Sequence, residues 1–79
     1  MENKRIEINL NTVDKIKKFI NVSRGFSSDI DVIAERAVVD AKSILALYAL
    51  DLSKNVSVRI ITDDAEEFNR FEKAMEDFK

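Results

Sequence analysis

Two hydroxyl groups are the best placed to do chemistry in this chain, because each precedes a predicted helix. Thr12 stands before Val13-Asp14-Lys15, and Ser43 stands before Ile44-Leu45. The N-terminus of a helix favours an anion, but a hydroxyl nucleophile needs a general base beside it. The 79 residues contain no histidine and no cysteine, so chemistry on an imidazole or a thiolate is excluded. We predict no catalytic residue, and either hydroxyl has the simpler role of capping its helix.

Clustered charges favour no metal, cofactor or nucleic-acid site. Asp63, Asp64, Glu66 and Glu67 crowd a predicted helix start, where acidic residues are stabilising, and they lack the spacing of a calcium loop. A single glycine rules out a glycine-rich phosphate loop. The lysines at 15, 17 and 18 form a patch too small for nucleic acid, and the net charge of −2 gives no field that favours an anionic partner.

Composition predicts one α+β domain over residues 1–79 that stays in the cytoplasm. Apolar residues make up 46% of the chain, enough for a core, and no proline-rich or glycine-rich linker interrupts it. The N-terminal residues Met1-Glu2-Asn3-Lys4-Arg5 lack the apolar run of a secretory signal, and no segment approaches membrane-spanning length. We therefore expect no contact with a membrane.

Apolar periodicity predicts the order strand, helix, strand, strand, helix, strand, helix. Alternation indicates strands at Ile6–Leu10, Ile30–Val32, Val38–Val39 and Val56–Ile60. Helical spacing indicates helices from Val13 to Arg24, from Ile44 to Leu50, and from about Asp64 to Phe78. The last helix would bury Phe68, Phe71, Met75 and Phe78. The four strands would form an antiparallel sheet with helices on one face and polar residues on the other.

Helix ends carry recognisable signals. Asn11 or Thr12 would cap the first helix, and Gly25 would stop it by adopting a left-handed conformation. The pairs Asp63/Glu66 and Asp64/Glu67 have the spacing of a capping box. Between the second and third strands, Glu35-Arg36 would form the tight turn, although neither residue favours positive φ.

Three segments resemble HPr, the histidine phosphocarrier family of the bacterial sugar phosphotransferase system. They are Gly25-Phe26-Ser27-Ser28-Asp29-Ile30-Asp31-Val32, Ala41-Lys42-Ser43-Ile44-Leu45 and Leu50-Asp51-Leu52. The resemblance extends over nearly the whole chain and implies the HPr fold. That fold is an open-faced β-sandwich, βαββαβα, with a four-stranded antiparallel sheet and three helices on one face.

The resemblance also implies that the phosphocarrier site is degenerate. In HPr proteins the phosphate-bearing histidine caps the first helix and is followed by a threonine and an arginine. Thr12 falls at the position of the histidine and Asp14 at that of the arginine. A carboxylate repels the phosphoryl group that an arginine would bind. The chain would therefore be a histidine-lacking member, like the paralogue Crh.

Ser43 matches the serine that a dedicated HPr kinase phosphorylates in Gram-positive relatives, whose phosphoserine form binds a transcriptional regulator in catabolite repression. The setting Lys42-Ser43-Ile44-Leu45 is preserved. Phosphorylation would add nearly two negative charges at a helix start. Ser43 could equally serve only as an N-cap.

A docking surface for protein partners is the third feature that the resemblance implies. The short helix has more apolar residues than one side can bury, so we expect Leu47 and Tyr48 to reach the surface, with Lys15, Lys18 and Lys42 around them. The alternatives are an extended core and a self-association face.

The sequence thus favours a regulatory or adaptor protein, not an enzyme, acting as a monomer or weak homodimer. Its partners would be phosphotransferase components, HPr kinase or a transcriptional regulator. The alternatives are a non-histidine phosphoacceptor using Thr12, or a self-associating structural domain without a phosphotransferase role.

Overall fold

A computed structural model describes residues 4–79. Residues 1–3, which belong to the predicted domain and to the N-terminal segment discussed above, lie outside the described residues. Strands and helices follow the predicted order. They are β1 (Ile6–Ile8), α1 (Val13–Ser23), β2 (Ile30–Ala34), β3 (Ala37–Asp40), α2 (Ile44–Tyr48), β4 (Val56–Ile60) and α3 (Ala65–Met75), which a 3₁₀ turn at Glu76–Phe78 continues. No helix within residues 4–79 is both long and apolar enough to cross a membrane.

The four strands form one antiparallel sheet in the order β1-β4-β2-β3. Alternate side chains enter the core, as the period of a strand requires: Ile6, Ile8, Ile30, Val32, Val56, Val58 and Ile60 are all buried. On the opposite face the Arg59 guanidinium donates two hydrogen bonds to Asp31 Oδ2, at 3.2 and 3.1 Å. The predicted α+β fold with one open sheet face is confirmed.

Aromatic side chains join the helices over the buried face of the sheet. Phe19 of α1 meets Phe78, and Phe26 meets Phe71 of α3, each pair edge to face with ring centroids 5.7 Å apart. The predicted stripe of the last helix is confirmed, since all four of its members are buried: Phe68, Phe71, Met75 and Phe78. Such pairs bury large apolar areas in a favourable ring geometry.

Helix α1 ends near Gly25, but the prediction that Gly25 adopts a left-handed conformation was wrong. Gly25 does not have a positive φ. Its N–H donates to the Val22 carbonyl at 3.0 Å, and a Cβ at this position would lie 3.2 Å from the same oxygen. A residue without a side chain is therefore favoured at Gly25 because the chain passes close to the last turn of the helix.

The turn between β2 and β3 consists of Glu35 and Arg36, as predicted. Ala34 pairs with Ala37 directly across it. Glu35 has φ of 51°, in the left-handed region that a glutamate rarely adopts. Its carboxylate lies 3.5 Å from Lys54 Nζ, an exposed ion pair that contributes little by itself. The packing of the paired strands, and not the local preference of Glu35, holds this turn.

Candidate functional site

The first part of the candidate site is the N-terminus of α1. Thr12 is the N-cap residue, and its Oγ1 accepts a hydrogen bond from the Lys15 N–H at 3.2 Å. Asp14 lies in the first turn, where its carboxylate is favoured by the helix dipole. Lys15 Nζ donates to Asn11 Oδ1 at 3.3 Å. The predicted cap is confirmed, and Thr12 serves the helix with its side-chain oxygen.

This helix end is poorly suited to carry a phosphoryl group. Thr12 and Asp14 lie two positions apart at the same helix end, so a phosphate on Thr12 would add to the negative charge already present there. Within residues 4–79 no group of three or more carboxylates could hold a metal ion to offset that charge. The arrangement stabilises the helix, and the Thr12 hydroxyl oxygen is already engaged as its cap.

Ser43 is the N-cap residue of α2, as predicted, but its side chain makes no cap hydrogen bond. Its backbone is engaged at both ends: the N–H donates to the Asp40 carbonyl, and the Ser43 carbonyl accepts from the Leu47 N–H, each at 3.0 Å. The residue is exposed. A fixed backbone therefore presents an exposed hydroxyl that the cap does not use.

The outer side of α2 is apolar and exposed. Leu45 is 86% exposed, Tyr48 46% and Ile44 40%. Leu47, which was expected on this surface, is fully buried, so that part of the prediction was wrong. A helix of five residues can turn only one of its leucines fully into the core, and in α2 it is Leu47, whereas Leu45 points away.

The cations beside this apolar surface also differ from those expected. Ile44 and Tyr48 line a depression of about 280 Å³, whose other side consists of Lys17, Ile20 and Asn21 of α1 and the C-cap residue Arg24. Lys15, Lys18 and Lys42, the predicted border, do not line this depression, and each of them lies against another group. Lys18 Nζ is 3.6 Å from Asp77, and Lys15 binds Asn11. We call Lys17, Arg24, Ile44, Leu45 and Tyr48 the α2 surface.

Lys42 has an internal role that its position before Ser43 does not reveal. Its ammonium donates to the Phe26 carbonyl at 2.9 Å and the Ser28 carbonyl at 3.4 Å. Its backbone N–H donates to Asp40 Oδ1 at 2.8 Å. Lys42 thus ties the segment after α1 to the segment before α2, which fixes Ser43 in place.

Glu67 is a buried carboxylate for which the sequence predicted only a role at the start of its helix. The Ser28 hydroxyl donates to its Oε1, and the Ser27 hydroxyl donates to Oε2 at 3.3 Å. Hydrogen bonds from Ser28, then Thr62 and Ser27, lower the pKa of Glu67 from 4.5 to about 2. The predicted capping box was wrong for this reason: Asp64 caps α3 by accepting from the Glu66 N–H, while Glu67 binds the serines.

The two cap residues allow a matched comparison. Thr12→Ala removes an observed cap hydrogen bond and should lower the free energy of unfolding by about 1 kcal/mol. Ser43→Ala removes a hydroxyl that makes no cap bond and should change the same quantity by less than about 0.5 kcal/mol. Urea denaturation of both variants tests this. Equal losses would show that the Ser43 hydroxyl also caps its helix.

Comparison with known proteins agrees with this architecture. The family model described as PTS HPr component phosphorylation site matches residues 13–79, more than half of the chain. HPr-C-His from Thermoanaerobacter tengcongensis is 27% identical, with a TM-score of 0.73 over 96% of this chain and 92% of that one. Phosphocarrier protein HPr from Bacillus anthracis str. Ames shares the fold at 20% identity, with a TM-score of 0.76 over 99% and 96%. No curated protein matches significantly. With its family match reaching from the start of α1 to the last residue, the chain belongs to the HPr family of the phosphotransferase system.

Proposed function

We propose that this chain is a bacterial, cytoplasmic regulatory or adaptor protein of the HPr family, which acts as one domain by binding other proteins. HPr proteins are not enzymes themselves, and they interact with other components of the phosphotransferase system. This member, like Crh, would use that binding ability without carrying phosphate on histidine, since its 79 residues contain none.

One observation carries the proposal: α2 exposes an apolar surface in a chain whose first helix start lacks the chemistry of a carrier. Leu45 is 86% exposed, and Ile44 and Tyr48 of the same helix are exposed as well, so they form an apolar patch of the kind that marks an interaction surface. Thr12 offers an exposed hydroxyl that caps α1, with the Asp14 carboxylate in the same turn. Binding and phosphate transfer are thus separable in this chain.

The α2 surface has the composition of a protein interface. Ile44 and Tyr48 share a depression with the cations Lys17 and Arg24, and the exposed Leu45 follows Ile44 on the same short helix. Aromatic and apolar groups supply most binding energy at such a surface, while charges at its edge set the partner and the rate of encounter. We expect partners that place an apolar group on α2 and carboxylates near Lys17 and Arg24.

Ser43 would control this binding through phosphorylation. Its exposed hydroxyl makes no cap bond and lies directly before the first residue of the α2 surface, Ile44. A phosphate would add nearly two negative charges there, beside the cations that a partner would contact. The ammonium of the adjacent Lys42 is engaged by the Phe26 and Ser28 carbonyls, so we expect the added charge to stay exposed to a partner.

A kinase assay tests the regulatory part. The protein is incubated with ATP and a bifunctional HPr kinase, and intact-mass spectrometry with peptide mapping should find one phosphate on Ser43. The Ser43→Ala variant, with the fold checked by circular dichroism, should stay unmodified. Absence of modification on the folded wild-type chain would contradict control at Ser43.

A second assay distinguishes the adaptor from a phosphoacceptor. Enzyme I charged with labelled phosphoenolpyruvate should leave no label on the wild-type chain. Label on Thr12, lost in Thr12→Val, would favour the phosphoacceptor alternative. Binding to phosphotransferase proteins by calorimetry should be lost in Leu45→Lys and kept in the matched control Asn69→Lys, an exposed position on α3.

A further inference from the structure

The strand β3 forms one edge of the sheet, and the backbone groups of one of its residues point away from the protein. In an antiparallel pair, residues alternate between those that exchange hydrogen bonds with their partner and those that do not. Ala41 N–H donates to the Ile30 carbonyl at 2.8 Å. Since the pattern alternates, Val39 and Ala37 are the next residues that exchange hydrogen bonds with β2. Val38, which lies opposite Ile33, therefore directs its N–H and C=O outward.

This edge strand is short, but it lacks three features that commonly keep other edges unpaired. A native edge strand commonly carries proline, lysine or a bulge that prevents pairing. β3 contains none of these, and Val38 is 56% exposed. Its side chain lies on the open face of the sheet beside Ile33, which is half-buried. An unpaired N–H and C=O thus adjoin a small apolar area.

The charges along β3 are complementary to those of a second copy of β3 that runs in the opposite direction. The sequence Arg36-Ala37-Val38-Val39-Asp40 places a cation two residues before Val38 and an anion two residues after it. If two copies pair antiparallel about Val38, each Arg36 lies opposite the Asp40 of the other copy. Opposite charges that face each other across paired strands are stabilising. Within residues 4–79 the guanidinium of Arg36 has no hydrogen-bond or ion-pair partner.

We propose that β3 is a self-association edge whose partner is a second copy of this chain, related by a two-fold axis through the pair of Val38 residues. Each Val38 N–H donates to the Val38 carbonyl of the other copy, and two Arg36–Asp40 pairs close the ends. The two four-stranded sheets become one continuous sheet. Because one patch meets itself, the contact is isologous and closes at a dimer.

Complementary charge variants test the register directly. Wild-type protein should sediment with a mass that rises towards the dimer as its concentration is raised, whereas Arg36→Asp and Asp40→Arg should each remain monomeric. An equimolar mixture of the two variants should dimerise, because every facing pair is then again opposite in charge. Lys73→Asp, which makes the same charge change at an exposed position of α3, should behave as wild type. Monomeric wild-type protein at millimolar concentration, or a mixture that stays monomeric, would overturn the proposal.

Two further variants locate the contact. Val38→Pro removes an outward N–H without removing a β2–β3 hydrogen bond, so the monomer should fold and association should be lost. Tyr48→Lys should leave association unchanged. Association that Tyr48→Lys abolishes while Arg36→Asp leaves it intact would assign the dimer to the α2 surface instead. The result does not depend on the regulatory function proposed above.

Discussion

Replacing Phe71 by alanine is expected to lower the free energy of unfolding by about 3–5 kcal/mol. The Phe71 ring is fully buried and packs edge to face against Phe26. Removing the ring leaves a cavity between α3 and the segment after α1, which the sheet below cannot fill. Small domains have few kilocalories of stability to lose, so much of the variant should be unfolded at room temperature.

Chemical denaturation followed by circular dichroism measures this loss. The control is Leu45→Ala, which also shortens an apolar side chain, but one that is 86% exposed. Its effect on the free energy of unfolding should stay within about 0.5 kcal/mol. A Phe71→Ala protein as stable as the Leu45→Ala protein would mean that α3 does not pack on the sheet as described.

Acid is expected to weaken the protein through Glu67. Hydrogen bonds from Ser28, Thr62 and Ser27 lower the pKa of this carboxyl from 4.5 to about 2 in the folded protein. A group with a lower pKa when folded stabilises the fold above the unfolded value, and this stabilisation is lost as pH falls towards the folded value. We therefore expect the contribution of Glu67 to be complete above about pH 5 and to decline between pH 4.5 and 2.

The Glu67→Gln variant separates this contribution from that of other carboxylates. It should melt at a lower temperature than the wild type at pH 7, and the difference should shrink steadily as the pH is lowered to 2. Glu66→Gln changes the adjacent, exposed side chain and should leave the pH profile of the melting temperature almost unaltered. A constant difference between Glu67→Gln and wild type across this pH range would refute the assignment.

The order of the elements could be predicted from sequence because apolar periodicity carries it. β4 and α3 are clear examples: Val56, Val58 and Ile60 alternate, while Phe68, Phe71 and Met75 recur at helical spacing, and all six are buried. Gly25 shows the limit of such signals. A glycine after a helix is common for two reasons, positive φ or close approach, and only coordinates distinguish them.

The candidate site was harder to predict, because it depends on which way each side chain points. Helical spacing places several apolar residues on α2, but a helix of five residues does not define which side faces the core. The sequence therefore predicted that Leu47 is exposed, whereas the exposed leucine is Leu45. The lysines raise the same difficulty: a long flexible side chain can reach several partners, and Lys42 turns inward to two carbonyls.

Glu67 was missed because its partners are distant in sequence. The carboxylate lies at a helix start, where an acidic residue already has a local explanation, and the serines that bind it are about 40 residues earlier. One signal was available: Glu67 lies four positions before Phe71 and eight before Met75, which places it on the buried side of α3. A carboxylate there needs buried donors, which the hydroxyls in Ser27-Ser28 supply.

The turn at Glu35 also has a consequence for how the chain folds. An unfolded glutamate seldom visits φ near 51°, so the link between β2 and β3 has little tendency to bend before the strands meet. Hairpins with favourable turns form within microseconds, but this one lacks that advantage. We expect a newly made chain to assemble β1, β4 and β2 first and to add β3 last.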